Sequence, residues 1–251
     1  MLGKCFLVSV FLTLPLPVLA TTVHIEADRD NTLFEDPEGT RSNGSGPVFF
    51  VGRAAAGGTS PYTIRRGLLR FDVSRIPSDA IVEEVSLTLH LSNSSLDGPA
   101  TTVVRLHRLL DAWGEGASSA TGGLGAAAQP GDATWIHTFF PDSFWVQAGG
   151  HFVARVSAER EVGSFVPCDT FTCHLANNFY TWESTNHLVQ DVRHWVKAPE
   201  QNFGWISVGD ESIVRTARRF DSREHGTPQF RPILSVSYRL PGEESEAVPS
   251  E

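Results

Sequence analysis

An all-β domain of sandwich or barrel type is the fold this sequence predicts, on three observations. From Thr22 onward, short β-favourable stretches alternate with clusters of Gly, Pro, Asn and Asp. Within the clearest stretch, VEEVSLTLHL, Val85, Leu87, Leu89 and Leu91 fall on one face and Ser86, Thr88 and His90 on the other. No Pro-rich or Ser-rich linker divides the chain after its leader, so a single domain over residues 21–240 is expected.

In chain order, the first element is the leader. Residues 1–20, MLGKCFLVSVFLTLPLPVLA, carry Lys4, then an apolar run, then small or β-branched residues before a cleavage-type Ala20. This is the pattern of a secretory signal peptide. Pro15 and Pro17 break the run short of the roughly 20 apolar residues that a spanning helix needs, so export without membrane insertion is expected. Strands are then predicted over 22–27, 47–51, 67–73, 81–91, 102–109, 151–156, 203–208 and 233–240. The stretch 186–196, NHLVQDVRHWV, differs: Leu188, Val192, Trp195 and Val196 recur at helical spacing, predicting one short helix over an end of the sandwich. Residues 114–131, rich in Gly and Ala, read as a long surface loop, and 241–251 as a disordered acidic tail.

The net charge of −9 argues against a nucleic-acid role, which clustered Lys and Arg would dominate. Local arginines, among them Arg215, Arg218, Arg219 and Arg223, still leave room for an acidic polysaccharide. Once a leader carrying Cys5 is removed, Cys168 and Cys173 remain, in PCDTFTCH. They fit a disulfide in an oxidising compartment; the competing reading joins them to His174 around zinc, but lacks a second ligand pair.

Four stretches, taken together and in order, resemble the DNRLRE-domain family, which is related to disaggregatase-type domains and grouped with carbohydrate-binding modules. They are ADRDNTLFEDPEGTRSNGSGP with FFVGR, RRGLLRFDVSRIPSDAIVEEVSLTLHL, the pair LLDAWGEG and DATWIHTFFPDSFW, and LVQDVRHWVKAPEQNFGWISVGDE with RRFDSREHGTPQFRPILSVSY. The resemblance implies an antiparallel β-sandwich of jelly-roll type in a secreted or cell-envelope protein, and for some relatives the binding of acidic polysaccharides such as alginate.

Candidate site residues follow in three groups. Asp28, Asp30, Glu35 and Asp36 offer hard oxygens to a structural calcium ion, against the plainer reading of a solvated turn. Trp113, Trp135 and Trp145, which flank or follow the glycine-rich loop, are candidates for stacking on sugar rings, against core packing. Arg219 and Arg223 are candidates for a uronate carboxylate, against salt bridges within the sheet. A structural or adhesive envelope role without catalysis is the alternative. Enzyme signatures are weak: there is no G-x-S-x-G elbow, H-E-x-x-H or phosphate loop. A polysaccharide lyase would draw on His137, His151, His174 and Tyr180, and a glycosidase on Glu115 and Asp132.

Overall fold

The computed structural model describes residues 20–55 and 61–242. The expected signal peptide, apart from Ala20, and nearly all of the expected acidic tail therefore lie outside the described residues. The strands are β1 (Thr21–Phe34), β2 (Arg41–Ser42), β3 (Val48–Arg53), β4 (Ile64–Phe71), β5 (Ile81–Ser94), β6 (Thr102–Arg108), β7 (Ala126–Ala127), β8 (His137–Phe139), β9 (Ser143–Phe144), β10 (Ala158–Val162), β11 (Phe179–Trp182), β12 (Trp205–Val208), β13 (Arg218–Asp221) and β14 (Ile233–Arg239). Two helices, α1 (Phe171–Asn177) and α2 (Asn186–Lys197), complete an all-β architecture.

Ten strands join in one antiparallel network in the order β1-β14-β5-β13-β3-β4-β12-β6-β10, with β11 beside β5. Because β1 also pairs with β4, the hydrogen bonds close six strands, β1, β14, β5, β13, β3 and β4, into a ring. The length of β1 makes closure possible. Its first half pairs with β14 over Thr21–Glu26, and after an irregularity between Ala27 and Arg29 its second half pairs with β4 out to Phe34. A strand expected to stop near residue 27 thus continues through the acidic DRDN sequence, because Asp30 and Asn31 are buried among polar partners rather than turned to water.

The inward residues of β5, Val85, Leu87, Leu89 and Leu91, are fully buried and pack with Phe49, Phe220, Trp182 and Trp205 in the main core. Burial of this apolar surface, at roughly 25 cal/mol per Å², is the principal driving force for the fold. The predicted helix exists as α2, capped by the Thr185 side chain, which accepts from the Leu188 N–H. Its Leu188, Val192 and Trp195 close the core, and the Trp195 ring meets Trp205 edge-on at 4.4 Å. Its buried Asp191 gathers Arg155, Arg108, Ser157 and the Trp205 ring N–H, which satisfies a charge that would otherwise be costly to bury. Helix α1 was not expected. It begins at the Thr170 cap, and the Cys168–Cys173 disulfide ties its first turn to the preceding loop. At the far end of the network β10 presents Glu159, Arg160 and Glu161 as exposed residues on an edge strand.

Candidate functional site

On the outer face of β5 and β13, residues two apart share a side. His90 and Ser92 of β5 lie beside Arg219 and Asp221 of β13, while their neighbours Leu91 and Phe220 point into the core. Together with His174, His225 and Phe230 they line a cleft of about 370 Å³. It adjoins a second hollow of about 530 Å³ over α1, and His174 and Phe230 belong to both.

A hydrogen-bonded line runs through the cleft. The carboxylate of Asp221, itself almost fully buried, meets His90 Nδ1 at 2.6 Å, and His90 Nε2 meets His174 Nδ1 at 2.9 Å. The direction of each bond follows from its partners. A carboxylate only accepts, so His90 Nδ1 donates to Asp221. Asn178 fixes the other end: its Oδ1 accepts from the Val166 N–H and its Nδ2 donates to the Val166 carbonyl, so Nδ2 is also the donor that faces His174 Nδ1 at 3.2 Å. His174 Nδ1 is therefore an acceptor and its proton sits on Nε2, the edge opposite this network, while His90 donates from both ring nitrogens, Nδ1 to Asp221 and Nε2 to His174, as a protonated imidazole paired with the Asp221 carboxylate does. Asp221 and His90 thus hold His174 as an oriented hydrogen-bond donor.

Arg219 stands on the same face. Its Nε donates to Ser92 Oγ at 3.1 Å and its Nη2 to the Ser92 carbonyl at 3.0 Å, and among the described residues no carboxylate pairs with it. Phe230 lies flat against His90, with ring centroids 3.9 Å apart and planes 8° apart, and stacks on Phe171 at 5.9 Å. His225 completes the rim; its Nε2 lies 3.8 Å from Asp221. The arrangement combines fixed N–H donors, an unpaired guanidinium and flat ring faces.

The other expected residues lie elsewhere. Trp113 and Trp145 are buried in a second core cluster, where each ring N–H donates to a backbone carbonyl, that of Phe203 for Trp113 and that of Thr134 for Trp145. Their ring faces are spent on packing, which corrects the expectation that they stack on sugar. Trp135 is only partly buried and lies under the Arg66 guanidinium at 5.0 Å. Arg223 is committed within the fold: its side chain meets Glu115 at 3.2 Å, Glu224 at 2.8 Å and the Asp28 carbonyl at 3.1 Å, and its backbone N–H donates to Asp30 at 2.7 Å. This node corrects the expectation that Arg223 is open to a ligand.

The four carboxylates expected to gather around calcium are not brought to one point. Asp28 pairs with Arg70, Asp30 belongs to the Arg223 node, Glu35 accepts from the Thr63 and Ile64 N–H groups, and Asp36 caps the turn at Glu38 and Thr40. Among the described residues no group of three or more His, Cys, Asp or Glu is arranged to hold a metal ion. Burial, reinforced by the nearby Glu224 charge, pushes Asp30 well above the usual carboxylate range. Burial likewise raises Glu115 to about 7. One oxygen each of Asp30 and Glu224 is buried without a partner, so the node favours neutral carboxyl groups.

Of the candidate lyase residues only His174 lines the cleft. His137 is packed between Thr134, Phe140 and Phe144, His151 pairs with Asp111, and Tyr180 is on β11 facing Gly163. Glu115 and Asp132 both bind backbone N–H groups that hold the glycine-rich loop and its neighbours. His90 and Asp221 went unnoticed in the sequence, and no spacing signal joins them, since 131 residues separate the pair. No known protein-family profile matches this chain, and no curated protein matches it.

Proposed function

We propose that this protein is an exported, jelly-roll-type module of the DNRLRE kind that binds an acidic polysaccharide, with the Arg219–His174 cleft as its recognition site. One observation carries the reading: the His174 N–H, oriented by His90 and Asp221, shares a cleft with an arginine that, among the described residues, no carboxylate meets at ion-pair distance. A uronate carboxylate accepts from both, and the Phe230 and Phe171 rings offer flat surface to the sugar. Titration calorimetry of residues 21–251 against a polyuronate and a neutral glucan tests it. Saturable, salt-weakened binding to the polyuronate alone is the expected outcome. Equal binding to both, or to neither, overturns it.

The same hydrogen-bonded line favours a second reading, polysaccharide cleavage, because a proton given up by His174 Nε2 is replaced at Nδ1 from His90. New chain ends released from a polyuronate during incubation would support it, and intact polymer would remove it.

A further inference from the structure

Beyond the cleft, a hollow of about 560 Å³ is lined by Phe34, Glu35, Asp36, Arg41, Arg65 and Leu124 among others. Arg65 sets its character. The side chain is 94% buried by its 6% relative exposure, and its Nε donates to the Gly123 carbonyl while Nη1 donates to the Ile64 carbonyl. The guanidinium lies over the Phe34 ring at 4.9 Å. Among the described residues no carboxylate reaches ion-pair distance of it; Glu35, its nearest charge of opposite sign, is occupied by two backbone N–H groups. Burial lowers the arginine to about 10, the cost of holding a cation out of water, against the opposing pull of the Glu35 charge.

Arg218 gives the contrast. It is fully buried as well, but its guanidinium donates to the carbonyls of Gly163, Thr216, Ala217 and Pro99, and it lines none of these hollows. Arg65 has two such bonds and faces open space. Cations buried without a partner beside a cavity are placed for an anion that enters it.

The two hollows share no lining residue. Phe50 of β3 stands between them: its ring is 6.3 Å from Phe34 on one side, and on the other it lines a shallow depression together with Arg219, Asn93 and Ser94. Pairing places Gly52 of β3 opposite Arg65 and Phe50 opposite Arg219, so the two arginines lie two strands apart on one face. Strand spacing and rise put their backbones roughly 12 Å apart.

We propose that the Arg65 pocket is a second anion-binding subsite, on the same sheet face as the Arg219–His174 cleft and separated from it by Phe50, so that an acidic polysaccharide is held along its chain by carboxylates at both points. The inference rests on the reading of the cleft given above, and adds that affinity depends on chain length. Two linked subsites raise affinity for a polymer above that for its monomer without any new contact.

The test is titration of the full chain with polygalacturonate and with galacturonate, for wild type, Arg65→Met and Leu124→Glu. The second variant puts a negative charge on an exposed rim residue, and so challenges the pocket if loss of Arg65 impairs folding. Polymer affinity is expected to fall at least about tenfold in Arg65→Met and several-fold in Leu124→Glu, while monomer binding at the Arg219 cleft persists. Polymer binding unchanged in both folded variants overturns the second subsite and leaves the cleft standing. Failure of the wild type to bind polygalacturonate overturns both.

Discussion

Arg223 and Arg219, four residues apart, have opposite fates. Around Arg223 the fold supplies Glu115, Glu224 and the Asp30 acceptor, more negative charge than one guanidinium needs, and buries the surplus as neutral carboxyl groups. Arg219 donates to a hydroxyl and a carbonyl oxygen, and among the described residues no carboxylate reaches ion-pair distance of it. The contrast teaches that a run of arginines says little about binding until the charge on each is accounted for. Charge balanced inside the protein holds the fold, and charge left over is open to a ligand.

Substitutions sharpen this comparison in decreasing order of effect. Trp113→Ala, in the core beside the node, is expected to cost about 4 kcal/mol in urea unfolding and to leave glycan affinity of the folded protein unchanged. A loss of affinity with little loss of stability would restore the tryptophan to the surface. Arg223→Ala strips the node of its cation and should cost about 3 kcal/mol at pH 7.5, where Arg219→Ala costs less than about 1 kcal/mol. Equal costs for the two would erase the distinction.

Acidity probes the same node. Glu115, raised from 4.5 to about 7, stabilises the fold while protonated. That contribution is full below about 4.5, the unfolded value, and is lost as pH rises through about 7. A contribution on the order of 3 kcal/mol is expected to disappear across this window in wild type. Glu115→Gln should flatten the slope, and parallel pH profiles for the two proteins would show that Glu115 is not its source.

Two smaller effects concern the cleft. Cys168→Ser should cost roughly 2 kcal/mol and weaken polyuronate binding, because the disulfide fixes the start of the helix that carries His174. Binding unaffected by its loss would mean that α1 needs no such anchor. Arg219→Ala should lower polyuronate affinity about tenfold, near 1.4 kcal/mol. Calorimetry that finds less than a twofold change would remove Arg219 from recognition.

Much of the fold was legible in the sequence. The alternation in β5, the helical spacing of Leu188, Val192 and Trp195, and the cysteine pair all report local geometry, and the corresponding elements exist. What depends on distant partners was not legible. Period-two patterning put His90 on the polar side of its strand, which is right about the face but silent about Asp221 and His174 coming to meet it. Composition likewise cannot separate a tryptophan on a surface from one in a core, since Trp113 and Trp145 are spent in a satellite cluster under the loops that made them look exposed. Arg65 gave no signal because its importance lies in what the fold withholds from it. The bend in β1 was hidden for a related reason: acidic residues read as a turn, although closure of the ring carries them inside.

That ring has a consequence for behaviour in concentrated solution. Strands that hydrogen-bond to more than one neighbour leave little free edge as a template for another molecule, and eight strands here, β1, β14, β5, β13, β3, β4, β12 and β6, do so. Of the two strands of this network with a single partner, β11 and β10, the latter displays Glu159, Arg160 and Glu161, charges that discourage a second chain from adding to its edge. The molecule is thereby guarded against aggregation by its topology along most of the sheet and by side-chain chemistry at β10.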